Sequence, residues 1–196
     1  MLQNGYLDLP RGKIAAVVSS LEMTKRVVAY PDPSIISWQL MPQIKPDPDW
    51  YQLLFERVGR EWLWFSRLRM SSAELKEIIW HPDVLVFSVR HEGHDEGLLE
   101  LDFRTPGDCE LAFFGLTAKL RGAGAGRWLL NRALEAAWAR PIRKLWVHTC
   151  TLDHPSALKF YRNAGFVPVS RQIELADDPR SLGVLPHTAA PDIPLL

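Results

Sequence analysis

Three β-rich runs follow one another at residues 84–90, 97–103 and 109–116, with only short polar turns at 91–96 and 105–108 between them. Turns that short force neighbouring runs into antiparallel hairpins. The third run does not turn back. It passes into Arg121-Gly-Ala-Gly-Ala-Gly126 and then into a long helical pattern over 124–139, where Leu129, Leu130, Ala133, Leu134 and Ala137 recur at helical spacing. Pro141 stops that helix, and a further β run follows at 144–149. Two strands joined by one crossover helix lie parallel in the same sheet. The pattern predicts a mixed sheet, antiparallel on one side, with a parallel pair beside the helix that starts at Gly124.

The other elements fit around this centre. Residues 49–58 read as a short helix with Trp50, Leu53, Leu54 and Arg57 on one side. Ser71 or Ser72 caps a second helix, with Glu74 where a capping-box acid belongs, Leu75, Ile78 and Ile79 on its apolar face, and His81-Pro82 at its end. A last helix has Pro155 in its first turn and Asp153 or His154 as its cap; it runs to Asn163 and stops at Gly165. Residues 166–175 form the final β run. Before all of these, residues 35–41 alternate like a strand, and residues 1–34, broken by Pro10, Pro31 and Pro33, read as an extended segment with one apolar run at 14–18. From 177 onward Pro179, Pro186, Pro191 and Pro194 leave no periodicity, as in an extended arm or disordered tail. The expectation is one domain over 35–175, an N-terminal segment over 1–34 and a proline-rich arm over 176–196.

Charge narrows the function. The 23 basic residues balance the 23 acidic ones, so neither nucleic acid nor an anionic membrane surface is an expected partner. No apolar run approaches the roughly 18 residues that span a bilayer, and residues 1–11 lack the basic-then-apolar order of a signal peptide. Cys109 and Cys150 are isolated from each other, which fits a reducing cytoplasm and makes no zinc motif. His91 and His94 have a spacing that can hold a metal, but Glu92-Gly93 between them reads as an exposed hairpin turn, and no metal is expected.

The glycine-rich turn carries the chemistry. Glycines between a strand and a helix let the backbone turn tightly and approach a ligand. The first amides of a helix have no internal partner and sit at the positive end of its dipole, which suits a phosphate or diphosphate. A P-loop requires Lys and then Ser or Thr after its last glycine, and here Arg127-Trp128 follow. A dinucleotide fingerprint requires a third glycine three residues after the second, where this chain has Arg127 or Leu129. The pattern Arg/Gln-x-x-Gly-x-Gly/Ala fits Arg121 to Gly126 throughout. The alternative is a turn that merely packs the helix closely on the sheet.

With that turn, two flanking stretches resemble the GNAT superfamily of N-acetyltransferases. Glu110-Leu-Ala-Phe-Phe-Gly-Leu116 looks like the family's fourth strand. Ala157-Leu-Lys-Phe-Tyr161-Arg-Asn-Ala-Gly165-Phe166 is similar to its second signature. The resemblance covers about 35–175. It implies an α/β (α+β) fold: a GNAT-like mixed, mostly antiparallel sheet with splayed parallel central strands flanked by helices. It also implies acetyl-CoA as co-substrate. The pantetheine arm would insert between the splayed strands and pair with the backbone of Phe114 and Leu116. The diphosphate would sit on the amides of Gly122, Ala123, Gly124, Ala125, Gly126 and Arg127, with Arg121 shaping the turn or pairing with phosphate. Many members place an asparagine against the pantetheine where this chain has His154, which serves either as that contact or as a helix cap.

Acetyl transfer to an amine needs a base, an oxyanion stabiliser and a proton for the leaving thiolate. The resemblance implies Glu110 as base, with Glu100 and Asp102 as rivals from the preceding strand, and Tyr161 as acid. An acetyl-cysteine on Cys150 is a further route. The implied function is transfer of an acetyl group from acetyl-CoA to a primary amine, small molecule or protein, by direct attack in a ternary complex, from a monomer or homodimer. The acceptor region of such a fold would hold Trp50, Tyr51, Trp62, Trp64, Phe65, Arg67 and Arg69. The alternative function is a catalytically silent CoA-binding sensor or interaction module.

Overall fold

The computed structural model describes residues 4–27, 31–33 and 36–196. Seven strands form one sheet: β1 (Lys13–Met23), β2 (Trp38–Gln43), β3 (Val84–His91), β4 (His94–Asp102), β5 (Asp108–Leu116), β6 (Lys144–Cys150) and β7 (Val167–Asp177). Their order is β2-β3-β4-β5-β6-β1-β7. Every neighbouring pair is antiparallel except β5 and β6, which the helix α3 (Ala125–Trp138) joins as a parallel pair. The mixed, mostly antiparallel sheet expected from the turn spacing is the sheet that forms.

Alternation along the strands feeds two cores. Leu99 and Leu101 of β4 face α3, where they meet Leu129, Leu130, Ala133 and Leu134. Leu98, the residue before Leu99, faces the opposite side with α1 (Pro48–Gly59) and α2 (Ser72–Ile79). The period of two is what allows one strand to serve both layers. The hairpin between β3 and β4 turns on Glu92 and Gly93, both with positive φ (48° and 81°), a turn that matches strand twist.

Helix α1 begins where Asp47 accepts from the amides of Asp49 (2.9 Å) and Trp50 (3.1 Å), with Pro48 in the first turn. Its buried face differs from the expected one. Tyr51, Leu54, Phe55 and Val58 face the sheet, at spacings of three and four, whereas Leu53 is 69% exposed and Trp50 turns its indole N–H to Asp95 (3.1 Å). The stripe with the large aromatic rings wins because it buries the most apolar area. Helix α2 has the predicted capping box: Ser71 Oγ accepts from the Glu74 amide, and the Glu74 carboxylate accepts from the Ser71 amide at 2.8 Å. Helix α4 (Ala157–Asn163) starts later than expected from Pro155, because His154 Nδ1 accepts from the Ser156 amide at 3.2 Å and holds 155–156 as a turn.

The N-terminal region departs furthest from expectation. The apolar run at 14–18 does not belong to a segment outside the domain. It is the start of β1, which continues through Ser19 and Ser20 to Met23 and lies between β6 and β7. β7 pairs with β1 and not with β6, so the expected start at residue 35 omits a strand that the sheet contains. Ile35, where the next strand was expected to begin, lies outside the described residues, and β2 starts at Trp38. β7 is an edge strand, with Val167, Val169, Ile173 and Leu175 exposed.

The proline-rich stretch after Asp177 has neither helix nor strand, yet it folds. Arg180 is 1% exposed and grips Asp178 through Nε (3.0 Å) and Nη2 (2.7 Å), while Nη1 donates to the carbonyls of Ala189 (3.2 Å) and Ile193 (2.8 Å). Leu185, Ala189 and Ala190 close over Ile14 of β1 and Leu63, with Phe65, Leu68 and Leu152 packed around them. One guanidinium supplies the order that backbone periodicity does not.

Candidate active site

The parallel ladder between β5 and β6 is short. It runs from Asp108 opposite Lys144 to Glu110 opposite Trp146 and stops. On the other edge of β5, Leu101 pairs with Leu111 and Glu100 with Phe113, leaving Ala112 as an extra residue. That bulge adds twist to β5 just past Glu110, and the two strands part. A cavity of about 800 Å³ opens between them, lined by the uncovered part of β5, the glycine-rich turn, β6, α4 and residues 62–67. Phe114 and Leu116 both face it.

The glycine-rich turn forms one end of this cavity. Gly122 (φ 83°) and Gly124 (φ 86°) occupy a backbone region that side chains resist. Gly124 is the N-cap of α3 and offers no side-chain cap, and the first internal bond of the helix runs from the Trp128 amide to the Gly124 carbonyl at 3.2 Å. The amides of Ala125, Gly126 and Arg127 thus have no helical acceptor. A Cβ at Gly122 would meet nothing within 4 Å, so the space beside the turn is open. Free amides, a helix N-terminus and open space fit a diphosphate. Arg121, Gly122, Gly124, Gly126 and Arg127 line the cavity; Ala123 and Ala125 do not, and Ala125 is fully buried. The Arg121 guanidinium is already engaged, 2.7 and 2.9 Å from the two oxygens of Glu61 and over the Trp62 ring at 5.6 Å. It braces the turn against the 60–62 segment.

Tyr161 lies on α4, lines the cavity and is 7% exposed. Phe114, Phe160 and Phe166 surround its ring at 5.4 to 6.1 Å. Burial, with a smaller push from Asp153, raises its pKa well above the ordinary phenol value, so it keeps its proton. His154 also lines the cavity, with its ring against Trp62 at 5.3 Å. Its Nδ1 is occupied by the Ser156 amide, so it holds the turn before α4 and exposes its other nitrogen. Cys150 is not among the lining residues, and burial pushes its thiol up to about 11, which removes it as a ready nucleophile.

The three candidate acids separate cleanly. Glu100 is fully buried, held by Arg67 at 2.7 Å and by the Tyr51 hydroxyl. Asp102 lines the cavity but is clamped by Arg104 at 2.6 and 2.9 Å. Glu110 faces the cavity with one partner that sequence reasoning missed: His148 of β6, whose Nδ1 is 3.5 Å from the Glu110 carboxylate. The bond to Glu110 outweighs desolvation and raises the His148 pKa, with further help from Asp153 and Glu174. His148 lies two positions after Trp146, the ladder partner of Glu110, so strand alternation was the signal that could have found it. Of the expected acceptor residues, Trp62, Trp64, Phe65 and Arg67 line the cavity, while Trp50, Tyr51 and Arg69 do not.

Residues 49–166 match the acetyltransferase (GNAT) family, and the chain belongs to it. No curated protein matches the chain. Among solved structures, a GCN5-related N-acetyltransferase from Sphaerobacter thermophilus superposes with a TM-score of 0.57 at 16% identity, over 86% of this chain and 53% of that one. A tandem GNAT protein from the clavulanic acid biosynthesis pathway gives 0.57 at 17% identity, over 88% and 55%. An aminoglycoside acetyltransferase from an uncultured soil sample, solved with sisomicin, gives 0.52 at 19% identity, over 66% and 88%. The chain thus spans about half the length of the first two proteins. At these identities the likeness is one of fold.

Proposed function

We propose that this protein transfers an acetyl group from acetyl-CoA to a primary amine by direct attack in a ternary complex. The observation that carries the reading is a single cavity bounded by the glycine-rich turn at one end, the Glu110–His148 pair at the other, and Tyr161 on its wall. Acetyl-CoA supplies a thioester as the acyl donor. The amides from Gly122 to Arg127 hold its diphosphate, and the uncovered edge of β5 at Phe114 and Leu116 orders the arm that leads from it. A main-chain amide near Leu116 stabilises the developing oxyanion. Tyr161, kept neutral by burial, gives its proton to the departing sulfur. The Glu110–His148 pair accepts the proton of the acceptor nitrogen.

The acceptor end has an aromatic wall of Trp62, Trp64 and Phe65 and the carboxylates of Glu110 and Glu174. Those groups suit an amine with an aromatic or polycationic body. Titration calorimetry with CoA, followed by thiol release from acetyl-CoA across a panel of phenethylamine, spermidine, sisomicin and a lysine peptide, tests the reading. Heat with CoA and thiol release with at least one amine support it. CoA binding without release from any amine identifies a silent CoA-binding module, and no CoA binding removes both readings.

A further inference from the structure

Two groups stand where the acceptor's proton must leave, and they are not equivalent. The Glu110 side chain is 24% exposed and sits on β5 at the last rung of the ladder. The His148 side chain is 50% exposed and lies beyond that rung, where the strands have parted. Its Nδ1 faces Glu110, so its Nε2 lies on the far side of the ring from the carboxylate. The Trp146 ring, 6.1 Å away by centroid, flanks the imidazole. Both side chains line the cavity, and the imidazole is the more exposed of the two.

We infer that His148 takes the proton from the acceptor nitrogen and that Glu110 is a positioning residue, holding the imidazole through Nδ1 so that Nε2 stays free to accept. This rests on the acetyl-transfer reading. The neutral amine forms the C–N bond as the C–S bond breaks. His148 Nε2 removes one proton from the nitrogen, Tyr161 gives one to the sulfur, and solvent returns both groups to their starting states. A carboxylate on Nδ1 fixes the tautomer that leaves Nε2 as an acceptor.

The charges facing His148 are mostly negative: Glu110 from β5, Asp153 from the turn after β6 and Glu174 from β7. Glu22 of β1 is engaged by Lys144 (2.7 Å), and Arg67 and Arg104, which also line the cavity, are engaged by Glu100 and Asp102. His148 is therefore protonated to a higher pH than an ordinary histidine, and the enzyme gains activity as pH rises through that point. Removing the Glu110 charge moves that point down.

Two measurements on the full chain test this. The first follows the His148 ring signal by NMR, assigned with His148→Gln, in the wild type and Glu110→Gln. The inflection should lie above the ordinary value near 6.5 and fall in Glu110→Gln; an unmoved inflection overturns the positioning role. The second is the pH profile of kcat/KM with acetyl-CoA and the best amine of the panel. The wild type should show an acid limb at the NMR inflection. Glu110→Gln should keep the limb at lower pH, and His148→Gln should lose it with a fall of roughly a hundredfold or more. A limb lost in Glu110→Gln and kept in His148→Gln overturns the proposal and makes Glu110 the base. Acetyl transfer with neither pattern overturns it while leaving the acetyltransferase reading intact; no transfer to any panel amine removes both.

Discussion

Replacing Arg180 with alanine should cost more than any surface substitution in this protein. Asp178 is 2% exposed, and Arg180 supplies its two charge-assisted bonds, at 2.7 and 3.0 Å. The same side chain satisfies the carbonyls of Ala189 and Ile193. Truncation leaves a buried carboxylate with backbone amide donors but no countercharge, and removes a donor from the carbonyls of Ala189 and Ile193. Breaking a buried ion pair by removing one partner costs about 3–5 kcal/mol. For a chain of this size that corresponds to a fall of roughly 6–20 °C in unfolding midpoint. The segment can also open alone, in which case the midpoint reads only its docking free energy. Thermal unfolding should therefore be run beside limited proteolysis of the C-terminal segment, which reports release directly. The double variant Asp178→Leu/Arg180→Met should recover part of the loss, because no charge is left buried. If Arg180→Ala matches the wild type in both midpoint and protease sensitivity, the idea that this guanidinium orders the segment is wrong.

Three further outcomes follow from the site and core. Gly124→Val places a branched side chain at φ 86° with its Cβ 3.2 Å from Pro33, so calorimetry should show CoA binding weakened roughly tenfold to a hundredfold, from about 1–3 kcal/mol of backbone strain; unchanged affinity would remove the turn from the binding site. Tyr161→Phe should slow acetyl transfer by about ten- to a thousandfold with CoA affinity nearly intact, and steady-state kinetics beside calorimetry separates the two. Burial lifts the Cys109 thiol to about 12, so the unfolded chain loses that proton first; its stabilising contribution is complete below the ordinary thiol value near 8.5 and fades as pH rises toward 12. Denaturant titrations from pH 8 to 11 should show that decline in the wild type and a shallower one in Cys109→Ala.

Local patterns were legible where one segment determines its own structure. The capping box of Ser71 and Glu74, the glycine-rich turn and the α3 stripe each formed as their residues dictate. Features set by distant partners were not. β1 looked like an isolated apolar run because Ser19 and Ser20 interrupt it; both serines lie in a strand bracketed by β6 and β7, which sequence spacing cannot foresee. The face of α1 went to Tyr51 and Phe55 because the sheet below offers Phe113 and Leu98. His148 was overlooked because its meaning comes from Glu110, on a strand 38 positions earlier and joined only at three rungs. The proline-rich end hid its order in one side chain, Arg180, whose contacts are carbonyls that no composition reveals.

The placement of β1 has a consequence for biosynthesis. Lys13 is made 164 residues before its partner Asp177, an interval of roughly ten to thirty seconds at ordinary elongation rates. Through that interval the strand must wait as an unsatisfied edge, since both of its neighbours come from the last third of the chain. Nascent chains stalled before β7 should thus be the form most in need of a chaperone.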